Sequence, residues 1–281
     1  MTLEQYSRTS YKLSKKLTVA YSTSFSWGIK VFKPEFRDPI FAIYSYVRIA
    51  DEIVDTFHNF DKEQLLKKFE ADTWEAIETG ISTNPVLQAF QETVNKYKID
   101  HKLIKAFLNS MKMDLSNSSY NREHYDDYIY GSAEVVGLMC LKVFVNGNEK
   151  KYLELENPAK QLGAAFQKVN FLRDIQSDIN ERGRIYLPGV HHHEFIDNNK
   201  KAMLESEVEQ EFKEAFRGIV KLPIAVKLGV YSAYLYYLML FKKIKRMDVE
   251  QLRNRRVRIS NLHKFYLLLK SYLQVRVLKT T

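Results

Sequence analysis

The chain has 281 residues, 45% of them hydrophobic and 13% aromatic, with only 10 Gly, 6 Pro and a single Cys. That supply of core material against so few turn formers excludes a disordered chain and a disulfide-stapled scaffold, and it favours helices over a many-stranded sheet. Basic residues outnumber acidic ones by 43 to 34, and the excess, visible in "FKKIKR" (Phe241 to Arg246) and "RNRRVR" (Arg253 to Arg258), suits anionic partners.

Nothing rich in Pro, Gly or Ser divides the chain, so one domain over residues 1–281 is expected. The start, "MTLEQYSRTSYKLSKK", lacks the apolar run of a signal peptide, and no window approaches the ~18 apolar residues that span a bilayer. A soluble, cytoplasmic protein follows, with Cys140 as a packing residue in a reducing compartment. Asp38-Pro39 reads as an N-cap followed by Pro at the first helical position, opening a helix that runs to Thr56. Start signals at Asp61, Asn84-Pro85 and Asp100 give helices over 62–79, 85–97 and 101–116. A helix over 127–145 and a long one over 149–180 follow, the latter ended by Gly183 and Pro188. Beyond the polar connection "GVHHHEFIDNN", helices are predicted over 200–217, 219–246 and 259–278. The nine apolar residues Ala233 to Phe241 read as buried helix, and strand-like alternation is scarce, so the fold class is all-α.

Helical spacing brings polar residues together. At 100° per residue, Gln167, Asn170, Asp174 and Asp178 fall within an arc of about 80°, and Tyr44, Arg48, Asp51 and Asp55 within about 60°. Phe166, Val169, Phe171, Leu172, Ile175 and Ile179 occupy much of the remaining circumference of the first helix, so its polar stripe faces a cavity. Carboxylates four residues apart repel, and burying them requires a compensating cation. Two readings fit. Arg48 and Arg173 neutralise them in buried salt bridges, or the aspartates hold a divalent metal. Oxygen ligands without Cys and with few nearby His favour Mg²⁺, or Mn²⁺ in its place, shared with substrate phosphates. Metal and arginine beside an apolar, aromatic interior suit ionisation of an allylic diphosphate, and Phe25, Trp27, Tyr44, Tyr128 and Phe171 are candidates to face the carbocation.

The segments "YSTSFSWGIKVFKPEFRDPIFAIYSYVRIADEIVD", "YIYGSAEVVGLMC" and "FQKVNFLRDIQSDINERGRIYLP" resemble, in order and spacing, three signatures of the squalene/phytoene synthase family. The likeness runs from Tyr21 to the "RRVRI" segment at Arg255 to Ile259. It implies an isoprenoid-synthase helical bundle around a central apolar cavity, joining two prenyl diphosphates head to head through a cyclopropylcarbinyl diphosphate. By the same resemblance, Asp51, Asp55, Asn170, Asp174 and Asp178 bind metal, and Ser22, Ser24, Arg48 and Arg173 contact diphosphate. Gln167, Tyr44 and Tyr128 line the reaction centre, and Tyr237 matches a C-terminal tyrosine. Tyr21 stands where many relatives carry His, and "YGSAEVVG" departs from the usual text by placing Glu134 near the cavity wall.

The wording "DEIVD" and "RGRIYLP" looks closest to bacterial phytoene synthases, which implies two C20 geranylgeranyl diphosphates and no NADPH, with two C15 farnesyl diphosphates and a squalene or dehydrosqualene product as the alternative. Chain length is expected to follow a tunnel past Phe25, Ile29, Gly137, Cys140, Leu141, Ala164 and Ala165, positions that an ordinary helix core would also contain. His191, His192 and His193 lie in a polar connection and read as a segment near the cavity mouth rather than as metal ligands. The basic C-terminal helices carry no nucleic-acid motif, so peripheral contact with lipid on the inner membrane surface is the expectation for them. A basic helical nucleic-acid binder and a salt-bridged scaffold are the non-enzymatic alternatives.

Overall fold

The computed structural model describes residues 2–116, 120–180, 186, 188, 197–254 and 256–278; the side chains of residues 23, 24, 179, 180, 261 and 276–278 lie outside the description. The described residues form helices and no strand, as the composition predicts.

Two helices absent from the prediction open the chain. In α1 (Leu3–Tyr21) the Thr2 hydroxyl accepts from the Gln5 amide. Ser22 ends α1 and caps α2 (Thr23–Lys30), its Oγ accepting from the Phe25 amide at 3.2 Å. α3 (Pro34–Asp55) begins at Pro34, five residues before the predicted start, and carries Pro39 in its interior. Of two N-terminal signals in "FKPEFRDP" the earlier one wins. Pro39 still costs α3 one backbone hydrogen bond.

α4 (Lys62–Thr79), α5 (Pro85–Tyr97) and α6 (His101–Ser116) have the predicted bounds, with Asp61 and Asn84 accepting from backbone amides at their starts. The single helix expected over 127–145 is three pieces: α7 (Arg122–Ile129), a π-helical turn (Tyr130–Glu134) and α8 (Val135–Phe144). α9 (Glu149–Asn180) has the predicted bounds; Gly183, proposed to end it, lies outside the described residues. α10 (Asn198–Ile219) is capped by Asp197. α11 (Ile224–Lys245) starts after Pro223, which breaks the helix predicted to run through it. The short α12 (Val249–Asn254) was not predicted, and α13 (Asn261–Leu278) completes the chain.

α11 is long and apolar enough to cross a membrane by length and composition, contrary to the sequence expectation. It is instead a wall of a cavity, packed against α2, α9, α10 and α13. Its approach to α2 is close because Gly229 has no side chain: a Cβ there would lie 2.5 Å from the Gly28 carbonyl oxygen. α9 meets the π-helical turn in the same way, since a Cβ on Gly163 would lie 2.7 Å from the Ala133 carbonyl oxygen. These contacts draw α2, α3, α8, α9, α10, α11 and α13 around one space.

Candidate active site

That space is a cavity of about 450 Å³, within the range of small-molecule sites. α9 lines it from Leu155 to Arg173, a stretch of about 27 Å at 1.5 Å per residue. Along α9 its character changes. Leu155, Pro158, Ala159, Leu162, Gly163 and Phe166 are followed by Gln167, Asn170 and Arg173, so one end is apolar and the other is a polar mouth.

The mouth is hydrogen-bonded. Tyr237 of α11 donates its hydroxyl to Asn170 Oδ1 at 3.2 Å, and Asn170 Nδ2 donates to Gln167 Oε1 at 3.4 Å. Tyr44 of α3 and Ser22 are hydrogen-bonded through their hydroxyls. Burial pushes the pKa of Tyr44 and of Tyr237 upward, outweighing Ser22 and Arg48 at the first and Arg173 and Asn170 at the second, so both phenols keep their protons. Phe25 stacks on Tyr44 at 4.8 Å and Phe166 on Tyr237 at 3.9 Å, giving the mouth two pairs of aromatic faces.

Asp174 lies beside this mouth in a fork of two guanidinium groups. Arg173 Nε donates to Oδ1 at 2.9 Å, and Arg173 also reaches Oδ2; Arg256, from the segment between α12 and α13, donates through Nε to Oδ1 at 2.7 Å. Burial alone would raise the carboxyl's pKa, but the bonds and charges of Arg173 and Arg256 outweigh it and hold Asp174 below the usual carboxylate range. Arg256 reaches Asp174 across 82 positions of sequence, outside the reach of any periodicity argument.

The other predicted residues are distributed as follows. Ser22, Tyr44, Gln167, Asn170, Arg173 and Tyr237 line the cavity together; the Ser24 side chain lies outside the description. Arg48 pairs with Glu52, one turn along α3 and itself buried, rather than with an aspartate, and its guanidinium lies 4.4 Å from the centre of the half-exposed Tyr21 ring. Asp51 and Asp55 continue the α3 stripe, partly buried, and Asp178 is buried on α9.

Tyr128 and Phe171, expected to face the cavity, do not line it, and neither do Ala164 and Ala165. Tyr128 donates instead to Asp114 Oδ2 at 2.8 Å, while Tyr186 donates to Oδ1 at 2.9 Å and stacks on Phe171 at 4.6 Å. The α9 register explains the alanines: Leu162, Gly163 and Phe166 take the inward positions. Glu134 closes the π-helical turn half-buried; burial raises its pKa against the pull of Lys160 and Lys168. His191 to His193 lie outside the described residues.

The donor set suits a hard divalent cation. Asp51, Asp55, Asn170, Asp174 and Asp178 offer oxygen alone, from two helices whose flanking residues face the same cavity. Among the described residues no three His, Cys, Asp or Glu side chains form a ready-made metal cage.

Comparison with known proteins agrees with this architecture. The phytoene synthase of Arthrospira platensis is 28% identical over 96% of this chain and 94% of its own length. Phytoene synthase 1, chloroplastic, of Arabidopsis thaliana is 29% identical over 85% of the chain, which spans 60% of that longer protein. Among solved structures, a dehydrosqualene synthase in complex with ligand superposes with a TM-score of 0.81 at 21% identity, covering 97% of this chain and 99% of its own. The squalene synthase HpnC from Alicyclobacillus acidocaldarius superposes with a TM-score of 0.74 at 21% identity, covering 88% of this chain and 96% of its own. The family model for squalene/phytoene synthase matches residues 18–263, from the end of α1 into α13, and the chain belongs to that family.

Proposed function

We propose that the chain condenses two geranylgeranyl diphosphates head to head into phytoene, releasing two diphosphates, with Mg²⁺ and without NADPH. Family membership makes the chain a prenyltransferase and supports head-to-head joining of prenyl diphosphates as its reaction class. The C20 substrate rests on the curated relatives, which are phytoene synthases. The observation that carries the chemistry is the polar mouth on a long apolar cavity, the shape and polarity of a diphosphate with a hydrocarbon tail.

Asp51, Asp55, Asn170, Asp174 and Asp178 would hold Mg²⁺, or Mn²⁺, which supplies a Lewis acid for the leaving diphosphate. Arg173 lines the mouth, with Arg256 beside it on Asp174, so two fixed cations stand where negative charge collects as the carbon–oxygen bond breaks. Tyr44, kept protonated by burial, offers a hydroxyl donor to a diphosphate oxygen, and Tyr237, also protonated, donates its hydroxyl to Asn170 and so orients that amide at the mouth. The faces of Phe25, Tyr44, Phe166 and Tyr237 stabilise the positive carbon left behind. The apolar walls exclude the water that would quench it.

The test incubates purified protein and Mg²⁺ with geranylgeranyl or farnesyl diphosphate, with and without NADPH, and identifies hydrocarbons by mass spectrometry. Phytoene from the C20 substrate without NADPH is expected, and Asp51→Asn is expected to lower turnover by at least about a hundredfold with the fold retained by circular dichroism. Squalene or dehydrosqualene from the C15 substrate alone would replace the C20 assignment. No coupled hydrocarbon from either would sink the reaction.

A further inference from the structure

Helix α13 is apolar on two opposite sides. Leu267 and Leu268 point inward and line the cavity, and Ser271 beside them meets Ser232 of α11 at 2.6 Å. On the outer side Leu262, Phe265, Tyr266, Leu269 and Leu273 are exposed, Leu262 by 84% and Phe265 by 61%. At 100° per residue these five fall within an arc of about 100°, and they run along about 16 Å of helix. Isolated apolar side chains on a surface need no explanation, but a continuous stripe of three leucines and two aromatics marks an interaction site.

The charge around the stripe identifies its partner. Residues 241–281 carry 12 Lys and Arg against 2 Asp and Glu, so the preceding 240 residues, with 31 basic and 32 acidic side chains, are close to neutral. The whole positive excess of the protein therefore sits in the last 41 residues of the sequence, from the last turn of α11 onward. Lys243 donates to the Arg258 carbonyl at 2.8 Å, which brings the exposed cations at the end of α11 against the segment leading into α13. Lys270 is exposed on the flank of the stripe.

Apolar and aromatic side chains framed by Lys and Arg, on a helix lying along the surface, are the pattern of an interfacial helix on an anionic bilayer. A second copy of this chain fits poorly, because a two-fold contact would set each basic frame against the other. Nucleic acid would use the cations but leave the leucines without a role. We propose that the outer face of α13 docks the protein on an anionic lipid bilayer. The inner face of the same helix lines the cavity, so one helix thickness separates the lipid from the site where an apolar product would form. The docking surface stands on α13 and its charge alone and does not require the condensation reading to hold.

The experiment mixes the full chain with phosphatidylcholine vesicles, with or without phosphatidylglycerol, and measures co-sedimentation. Binding to the anionic vesicles is expected, weakening as salt rises. The triple variant Phe265→Ser/Leu269→Ser/Leu273→Ser alters exposed side chains only, and its bound-to-free ratio is expected to fall by about tenfold or more at unchanged helix content. The pair Lys243→Glu/Lys270→Glu is expected to lower binding several-fold on anionic vesicles while leaving the weaker binding to neutral ones unchanged. Condensation measured in detergent is expected to be equal in parent and triple variant. Co-sedimentation with vesicles in a protein that makes no hydrocarbon would support the docking surface and remove only the condensation reading. Equal co-sedimentation of parent and triple variant would overturn the proposal. So would a parent protein that stays in the supernatant with both vesicle types, including one that dimerises through the stripe.

Discussion

Lys168 is buried on α9 between two carboxylates of α10, with its ammonium 2.8 Å from Glu207 Oε2 and 2.6 Å from Glu211 Oε1. Glu207 has a second cation in Arg122 at 2.7 Å, whereas among the described residues Glu211 pairs with Lys168 alone, feels Glu134 nearby, and has its other oxygen buried without a hydrogen-bond partner. Burial therefore dominates at Glu211 and pushes its pKa up to about 7, against the pull of Lys168. A carboxyl whose folded pKa exceeds its unfolded one contributes stability that is full below the unfolded value and lost as pH rises through the folded value. Glu211→Gln removes that loss. It should be more stable than the parent at pH 8 by on the order of 1–3 kcal/mol, with the gap closing near pH 5, as read by thermal denaturation across that range. A gap that does not change with pH would mean that Lys168 keeps Glu211 ionised throughout. None of this network is visible in the sequence, because its members come from α7, α9 and α10 and meet only in the fold. Gln167 and Asn170 were legible for the opposite reason: one helix carries them three residues apart, and helical geometry alone brings them to one face, whereas Arg173 entered through its charge and the family resemblance and lines the same cavity. Tyr128 shows the limit of motif matching, since its position in the "YIYGSAEVVG" signature says nothing of Asp114, the side chain that holds its hydroxyl.

Helices with a capping residue at the start were readable with their bounds, as α4 and α5 show. α1 and α2 were not, because Ser22 serves as the end of one and the cap of the next, and a serine between two helices carries no signal of its own. The π-helical turn between α7 and α8 was equally hidden. Its five residues, Tyr130 to Glu134, carry no signal that separates a π-helical turn from an α-helical one, and α6 and α9 pack against it. That packing is tight: α9 approaches the turn at Gly163, where a Cβ would lie 2.7 Å from the Ala133 carbonyl oxygen and 3.0 Å from Glu134 Cα. Both are backbone atoms, so relief requires helix movement rather than a rotamer change. Gly163→Ala gains about 1 kcal/mol of helix propensity and loses more to overpacking, typically 1–3 kcal/mol. The net effect should be a lower midpoint in denaturant, with a further loss in Gly163→Val. Unchanged stability in both variants would show that the turn and α9 separate freely.

Across the molecule, one long apolar space ends in a polar mouth. Arg173, Asn170 and Tyr237 mark the end where a diphosphate is proposed to sit, and residues of α8, among them Gly137, Cys140, Leu141 and Phe144, line the cavity with the apolar half of α9. Sequence identified Gly137, Cys140 and Leu141 as tunnel candidates through the family resemblance, and the structure has all three in the wall. Ala164 and Ala165 lie off it, because α9 turns Leu162, Gly163 and Phe166 inward instead. Periodicity marks the face of a helix that is buried, but a helix buried on every side gives no sign of which face borders empty space. Cys140 is the position to probe. Burial pushes its thiol up to about 12, so it enters the cavity as a neutral, compact group with room beside it. Cys140→Phe would place a ring in that room without disturbing Arg173, Asn170 or Tyr237. If tails extend past α8, the variant should lose geranylgeranyl diphosphate turnover more than farnesyl diphosphate turnover, shifting the ratio by about tenfold or more, a size typical of steric discrimination in an apolar pocket. The measurement is the two steady-state rates, with thermal denaturation confirming that the variant folds. An equal loss on both substrates would mean that the shorter tail already reaches Cys140. An unchanged ratio at full activity would mean that neither tail passes α8, and the length limit would then have to be sought among the residues of α10 and α11 that complete the wall.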